Sequence, residues 1–219
     1  MKYFKLTTLI FGFLLFGCNQ ANNNTTSLTE EKVSTSAADK EQIQNLIRQV
    51  LNWADSKNSI DLLPTKSDSK DSVYIGFDLD KHRLNLDKLK ATNFFVTEFI
   101  ENYNQIILTL DKGLRNGKYG QWLIGDLPTF IFANDVQPWT MCQDVPFDKP
   151  NPLDFIEINI TNSDKGEAVW KWGKLELNTD QSWKDFSYKF RVVKENDKWK
   201  ISYLQGFDFK ESTRKDGQL

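Results

Sequence analysis

The feature that most constrains the fold of this chain is a change of hydrophobic period to two after residue 154. Apolar residues then alternate with polar ones in four short runs, over residues 156–160, 168–172, 186–192 and 199–203. Turn-forming polar segments separate these runs, at residues 162–166, 178–181 and 195–198. Because such alternation is typical of half-buried strands, the sequence predicts a four-stranded antiparallel meander with one face in water.

A helical pattern precedes these strands. Asp39 followed by Gln42 resembles a capping box, the side-chain pairing that starts many helices. The next apolar residues recur with the spacing of one helix face, at Ile43, Leu46, Ile47, Val50 and Leu51. The sequence therefore predicts a first helix that begins at Asp39 and ends near residues 56–58.

A second apolar stripe predicts one long helix over residues 87–115. Its members are Leu89, Phe95, Phe99, Tyr103, Ile106 and Leu110. Asn116 and Gly117 follow and supply a signal for the end of a helix. Helices first and a meander last predict an α+β domain, in which N-terminal helices pack on a curved, cone-like antiparallel sheet.

The N-terminus has the pattern of a signal peptide. Lys2 and Lys5 flank the start of an apolar core over residues 6–16, which is too short to span a bilayer and fits a signal segment. Residues 15–18, Leu-Phe-Gly-Cys, resemble the lipobox of bacterial lipoproteins. The resemblance implies that residues 1–17 are removed and that Cys18 carries acyl chains such as palmitate, a stable membrane anchor. The alternative is an ordinary cleaved signal with an incidental cysteine.

Residues 18–38 are predicted to be a lipidated cysteine and a disordered, flexible tether. Eleven of the 20 residues from 19 to 38 are Asn, Ser or Thr. The segment therefore has too few apolar groups for their burial to offset the entropy lost on ordering. A single α+β domain is predicted over 39–209, followed by a frayed polar tail over 210–219. The residue after Cys18 is Asn19 rather than Asp. By analogy with lipoprotein sorting in two-membrane bacteria, this predicts anchoring in the outer membrane, facing the periplasm.

Composition excludes some functional classes. The formal charge is −2, and removal of residues 1–17 would make it −4, with both signs interspersed. This balance disfavours nucleic-acid binding. If Cys18 is acylated, Cys142 has no intramolecular partner, so we expect it to be a buried small hydrophobe or a reactive thiol.

A run near the C-terminus resembles a known family. Residues 188–201 read Tyr-Lys-Phe-Arg-Val-Val-Lys-Glu-Asn-Asp-Lys-Trp-Lys-Ile and end in a Trp-x-Ile strand. This run resembles the last hairpin of the nuclear-transport-factor-two-like cone fold. The two opening helices and the segment from Tyr119 to Asp144, with Pro138 and Trp139, are similar to bacterial lipoproteins of unknown function that carry this fold. The resemblance covers residues 40–208 and implies a shape rather than an activity.

The aromatic residues form the one candidate site. In a cone-shaped domain, a small hydrophobic ligand would contact rings at the open end, and Gln143 and Asp144 would supply the polar groups. The candidate rings are Trp122, Trp139, Trp170, Trp172, Tyr188 and Phe190. Two alternatives remain, since the same rings would also serve as the core between helix and sheet, or as a surface that recognises a protein.

No catalytic constellation is predicted. Catalytic relatives of the cone fold use an Asp or His base, and the only histidine, His82, lies in a polar segment that predicts a surface position. An enzyme would need a buried carboxylate such as Asp144 or Asp185, and the pattern places Asp185 among outward-facing residues. One histidine and one free cysteine do not make a zinc site, so we predict no metal and no cofactor.

Together these features predict a membrane-anchored lipoprotein of the cell envelope that acts as a non-enzymatic binding or envelope-interaction module. Its predicted partners are the membrane, through the lipid anchor, and a small hydrophobic ligand or an envelope protein. One alternative is a periplasmic inhibitor of the immunity-protein type. Another is a small-molecule carrier or an enzyme that uses the cone pocket.

Overall fold

The computed structural model describes residues 25–68, 70, 72–126, 128, 130, 132, 139, 155–171, 173 and 175–214. The chain divides into two compact units, Met1–Thr35 and Ser36–Leu219. The signal segment, Cys18 and Cys142 lie outside the described residues. Of the first unit, only the helical backbone of residues 25–35 is described.

The first helix, α1, spans Thr25–Asp55 and so begins inside the segment predicted to be a flexible tether. The tether itself stays a prediction. Asp39 was expected to cap this helix, but it lies within it and its side chain is buried. The apolar positions of the predicted stripe do face the core, since Ile43, Ile47 and Val50 are fully or almost fully buried.

The long second helix was predicted wrongly as one piece. It consists of α2, Leu79–Thr92, and α3, Thr97–Arg115. Asn93 ends α2 in the left-handed conformation with φ of 58°. In the connection between the two helices, the N–H of Ile201 donates to the carbonyl of Phe94 at 2.8 Å, and the N–H of Val96 donates to the carbonyl of Ile201 at 3.0 Å. The helix break thus places this short segment along a strand.

Two antiparallel sheets complete the α+β fold. The smaller contains β1, Thr65–Asp68, and β2, Val73–Phe77. The larger is the predicted meander, with strand order β3-β4-β5-β6. Its strands are Phe155–Ile160, Lys165–Lys171, Tyr188–Glu195 and Lys198–Leu204. The described residues also form two short helices, α4 over Gln181–Asp185 and α5 over Phe209–Ser212, the latter running from the end of the predicted domain into the predicted tail.

The last two strands contain a one-residue bulge. Val192 pairs with Ile201, whereas the preceding residue of β5, Arg191, pairs with Tyr203. Ser202 is therefore left without an opposing residue. The core-facing positions of β6 are Trp199, Ile201 and Leu204, so the spacing lengthens from two to three across the bulge.

Helix α3 is central to the core. It packs against α2, β2, β6 and α5. One face of the helix is buried, and its apolar members recur every three or four residues, at Phe99, Ile100, Tyr103, Ile106, Ile107, Leu110 and Leu114. Each such side chain contributes about 1.5–3 kcal/mol when it is fully buried, so this face is a main source of stability.

Candidate binding groove

The predicted ligand-binding aromatics are core residues. The described members, Trp122, Trp139, Trp170 and Tyr188, are at most 4% exposed, and Phe190 is 1% exposed. Their rings pack on one another and on other rings, with centroids 4.9 Å apart for Tyr188 and Phe190. At this level of burial the rings present no open surface to a ligand. Trp172, Gln143 and Asp144 lie outside the described residues.

The structure also distributes these rings over separate groups. Trp122 contacts Tyr74 and Phe130, with centroids 4.3 and 5.4 Å away. Trp139 contacts Phe207 at 5.5 Å, among the rings beside α3. A further group lies on the sheet, where Trp170 packs on Phe186 and Tyr188. The described contacts therefore assign these rings to packing between elements.

His82 lies in the interior, contrary to the surface position predicted for it. Its side chain is 2% exposed, and its Nε2–H donates to Oδ1 of Asn104 on α3 at 2.9 Å. The ring also packs edge-on against Tyr103, 5.1 Å away. Burial lowers the pKa of His82, and the bond to Asn104 offsets only part of that effect. Its Nδ1 has no hydrogen-bond partner among the described residues.

The position of His82 follows from the start of α2. Asp78 caps this helix by accepting hydrogen bonds from the N–H groups of Asp80 and Lys81. With that start, His82, Asn85 and Leu89 share one face of the helix, and all three are buried. Their spacing of three and then four residues was a signal available in the sequence.

The polar groups beside His82 fix a loop. The hydroxyl of Tyr103 donates to the carbonyl of Leu62 at 3.0 Å, and Nδ2 of Asn85 donates to the carbonyl of Asp61 at 2.8 Å. Burial, with the negative charge of Asp61, raises the pKa of Tyr103 far above its usual value, so the phenol stays protonated. These groups therefore stabilise the loop and are not exposed to solvent.

Asp185, the described candidate for a catalytic carboxylate, is exposed at the end of α4 as predicted.

An open groove with a volume of about 440 Å³ lies at the other side of α3. It is formed by the first turns of α3, by β5 and β6, and by the residues that lead into α5. Its lining residues are Glu98, Phe99, Asn102, Arg191, Ser202, Tyr203, Phe207, Asp208, Phe209 and Lys210. Phe99 and Phe207 are buried and form an aromatic floor, with centroids 5.0 Å apart, while Phe209 is 39% exposed. The groove therefore exposes one apolar ring, that of Phe209, among two buried ones.

Arg191 is the best-positioned charge in the groove. Its Cζ lies 4.1 Å from the centroid of the Tyr203 ring, a cation–π contact. Among the residues that the structure describes, no carboxylate forms an ion pair with this guanidinium. Its N–H groups donate to no other described side chain or carbonyl, so they remain available to an acceptor.

The remaining groups of the groove balance this charge. Glu98 and Asp208 are acidic and Lys210 is basic, so the lining holds two cations and two carboxylates. Asp208 already accepts a hydrogen bond from the N–H of Glu211 as the cap of α5. Asn102 donates to the carbonyl of Phe207 at 2.6 Å and so ties the floor to α3. Sequence patterns did not indicate this groove because its lining comes from separate elements.

Comparison with protein-family models, with characterised proteins and with solved structures finds no match to this chain. In the part of the chain that the structure describes, no helix has the length and apolar content needed to cross a membrane. The same residues contain no group of three or more side chains suited to hold a metal ion.

Proposed function

We propose that this chain is a lipid-anchored protein of the bacterial cell envelope whose cone-like α+β domain is a non-enzymatic binding module. The groove between α3, β6 and α5 is its binding surface. One observation carries the proposal, the guanidinium of Arg191 held on Tyr203 beside the accessible ring of Phe209. A positioned charge next to an apolar surface is the combination that small-ligand sites use for orientation and affinity.

The burial of the interior rings supports the groove over the interior of the domain. Trp139, Trp170 and Tyr188 would have to move apart before a ligand reached them. Close packing makes such a rearrangement costly. The groove needs no rearrangement, since its volume of about 440 Å³ is already open.

The anchor is supported by the sequence Leu-Phe-Gly-Cys at residues 15–18. We propose that Cys18 is acylated and that the domain faces the periplasm from the outer membrane. Cells expressing the full chain and fed labelled palmitate should incorporate label into it, and Cys18→Ala should abolish this. Label that persists in the Cys18→Ala variant contradicts the anchor and leaves the groove to be judged on its own.

The groove is tested by a fragment screen against the full-length chain purified in detergent, with saturation-transfer NMR as the readout. We expect a subset of apolar fragments to bind wild type and to lose binding in Phe209→Ala. The matched control is Phe155→Ala, because Phe155 is 49% exposed but lies on β3, at the opposite edge of the sheet. Fragments that bind Phe209→Ala and wild type alike, or a screen without any binder, contradict the proposal.

A further inference from the structure

We infer that the groove binds a net-neutral zwitterion with an apolar body, the chemistry of a short unblocked peptide of apolar residues. This inference rests on the proposed function, because it names the ligand class of the same groove. It follows from three parts of the lining: a cation with free donors, the accessible ring of Phe209, and two carboxylates.

The carboxylate of such a ligand has a prepared partner in Arg191. The contact at 4.1 Å with Tyr203 restricts the long arginine side chain, so less conformational entropy is lost when a ligand binds. The edge of a guanidinium matches the two oxygens of a carboxylate, and such paired hydrogen bonds are stronger than neutral ones. Ser202, at the bulge of β6, adds a hydroxyl to the same part of the lining.

The body of the ligand has a matching surface in Phe209, which is 39% exposed. Phe99 and Phe207 also line the groove, but they are buried and offer a ligand almost no surface. A volume of about 440 Å³ is within the range of small-molecule sites. A ligand with two apolar side chains would bury the exposed part of Phe209, which is the apolar gain that drives such binding.

The charge balance selects a zwitterion. A ligand with only negative charge would face the carboxylates of Glu98 and Asp208, and a ligand with only positive charge would face Arg191 and Lys210. Unfavourable like-charge contacts are a main source of specificity. Glu98 forms no ion pair or side-chain hydrogen bond with any other described residue, so it is available to a ligand ammonium.

The test is isothermal titration of the full-length chain in detergent with the dipeptide Leu-Phe. Its amide, its N-acetyl form and the form with both ends blocked are titrated in parallel. We expect Leu-Phe to bind most tightly. Blocking either end should raise Kd by about ten-fold, since it removes one charge-assisted contact. Blocking both ends should raise Kd further.

Two variants assign the ends. In Arg191→Gln the preference for a free carboxylate should disappear, so that Leu-Phe and Leu-Phe-amide bind alike, while Lys189→Gln on the same face of β5 retains it. In Glu98→Gln the preference for a free amine should disappear, while Glu101→Gln, one turn along α3, retains it. Far-UV circular dichroism checks that each variant is folded.

Several outcomes overturn the inference. Equal binding of all four peptides does so, as does no binding of Leu-Phe up to about 10 mM. If N-acetyl-Leu-Phe binds as tightly as Leu-Phe, the inference is also overturned, and the ligand class would instead be the C-terminus of a protein. None of these results contradicts the groove as a binding surface, which depends on whether fragments lose binding in Phe209→Ala.

Discussion

The carboxylate of Asp39 accepts a hydrogen bond from the indole Nε1–H of Trp199 at 2.9 Å, across 160 residues of the chain. Lys194 donates to the same oxygen at 2.7 Å and lies 5.2 Å from the centroid of the Trp199 ring. These three side chains join α1, at Asp39, to the β5–β6 hairpin. Burial alone would raise the pKa of Asp39, but the bonds from Lys194 and Trp199 outweigh it and leave the pKa lowered.

Asp39→Asn should destabilise the domain, because it removes the charge that accepts hydrogen bonds from the buried indole N–H and from the partly buried Lys194. We expect the free energy of unfolding to fall by about 1.5–3 kcal/mol. Urea denaturation followed by tryptophan fluorescence measures this change. Asp80→Asn is the control, since the Asp80 pair with Arg83 is 86% and 71% exposed and should contribute little. Equal losses in the two variants would contradict the role assigned to Asp39.

The contribution of Asp39 should also depend on pH. Its pKa is lowered in the folded state, so its stabilisation is fully present above the unfolded value of about 3.9 and is lost as pH falls through the folded pKa. The stability difference between wild type and Asp39→Asn should therefore be constant above about pH 5 and shrink below pH 4. Urea midpoints at a series of pH values test this. A difference that already shrinks between pH 7 and 5 would assign it to another group.

His82 should make the domain less stable as the pH falls through the neutral range. Its folded pKa lies below 6.5, so the unfolded chain binds a proton first, and stability falls by up to about 1.4 kcal/mol per pH unit between the two values. His82→Gln should remove this dependence between pH 7.5 and 5. Because His82 is the only histidine, one pair of imidazole NMR signals reports its pKa directly. A measured value at or above 6.5 would contradict its burial.

Asn93→Ala should be destabilising although the position is exposed. Asn93 has φ of 58°, and an alanine in this left-handed conformation costs about 1–2 kcal/mol. Asn93→Gly should be neutral or nearly so, because glycine adopts the conformation freely. Asn45→Ala, at an exposed position within α1, is the matched control and should not destabilise. If the alanine and glycine variants have the same stability, residue 93 does not need the left-handed conformation, which would contradict the helix end described here.

Gly113→Ala should destabilise α3 even though alanine favours helix. A Cβ at residue 113 would overlap the ring of Tyr119, which is 4% exposed. The gain in helix propensity is about 1 kcal/mol and overpacking costs about 1–3 kcal/mol, so we expect a net loss of up to about 2 kcal/mol. In a Tyr119→Leu background, where the overlap is relieved, the same change should be neutral or stabilising. A stabilised single variant would contradict the predicted clash.

The large sheet could be predicted from the sequence because its signal is local. Alternation at Tyr188, Phe190 and Val192 is a direct image of a strand with one buried face. The helix break at Asn93 could not, since Phe95 continues the apolar stripe of α3 and no glycine or proline marks the end. The signal that decides the break is the pairing of Phe94 and Val96 with Ile201, which is a tertiary contact.

The proposed binding groove was the hardest part to predict. The sequence predicted a ligand site at tryptophan and tyrosine side chains, but Trp170 and Tyr188 are buried with their neighbours. The groove depends on Arg191 and Phe209, which no pattern marks out. Arg191 follows the ordinary alternation of a wet sheet face, and its contact with Tyr203 requires the pairing of β5 with β6.

The bulge at Ser202 separates the composition of the groove from the register of the core. It supplies the lining of the groove with a residue that has no opposing partner in β5, while Ile201 and Leu204 on either side keep their places in the core. Mutations at this position therefore alter what the groove presents without shifting the register of the core.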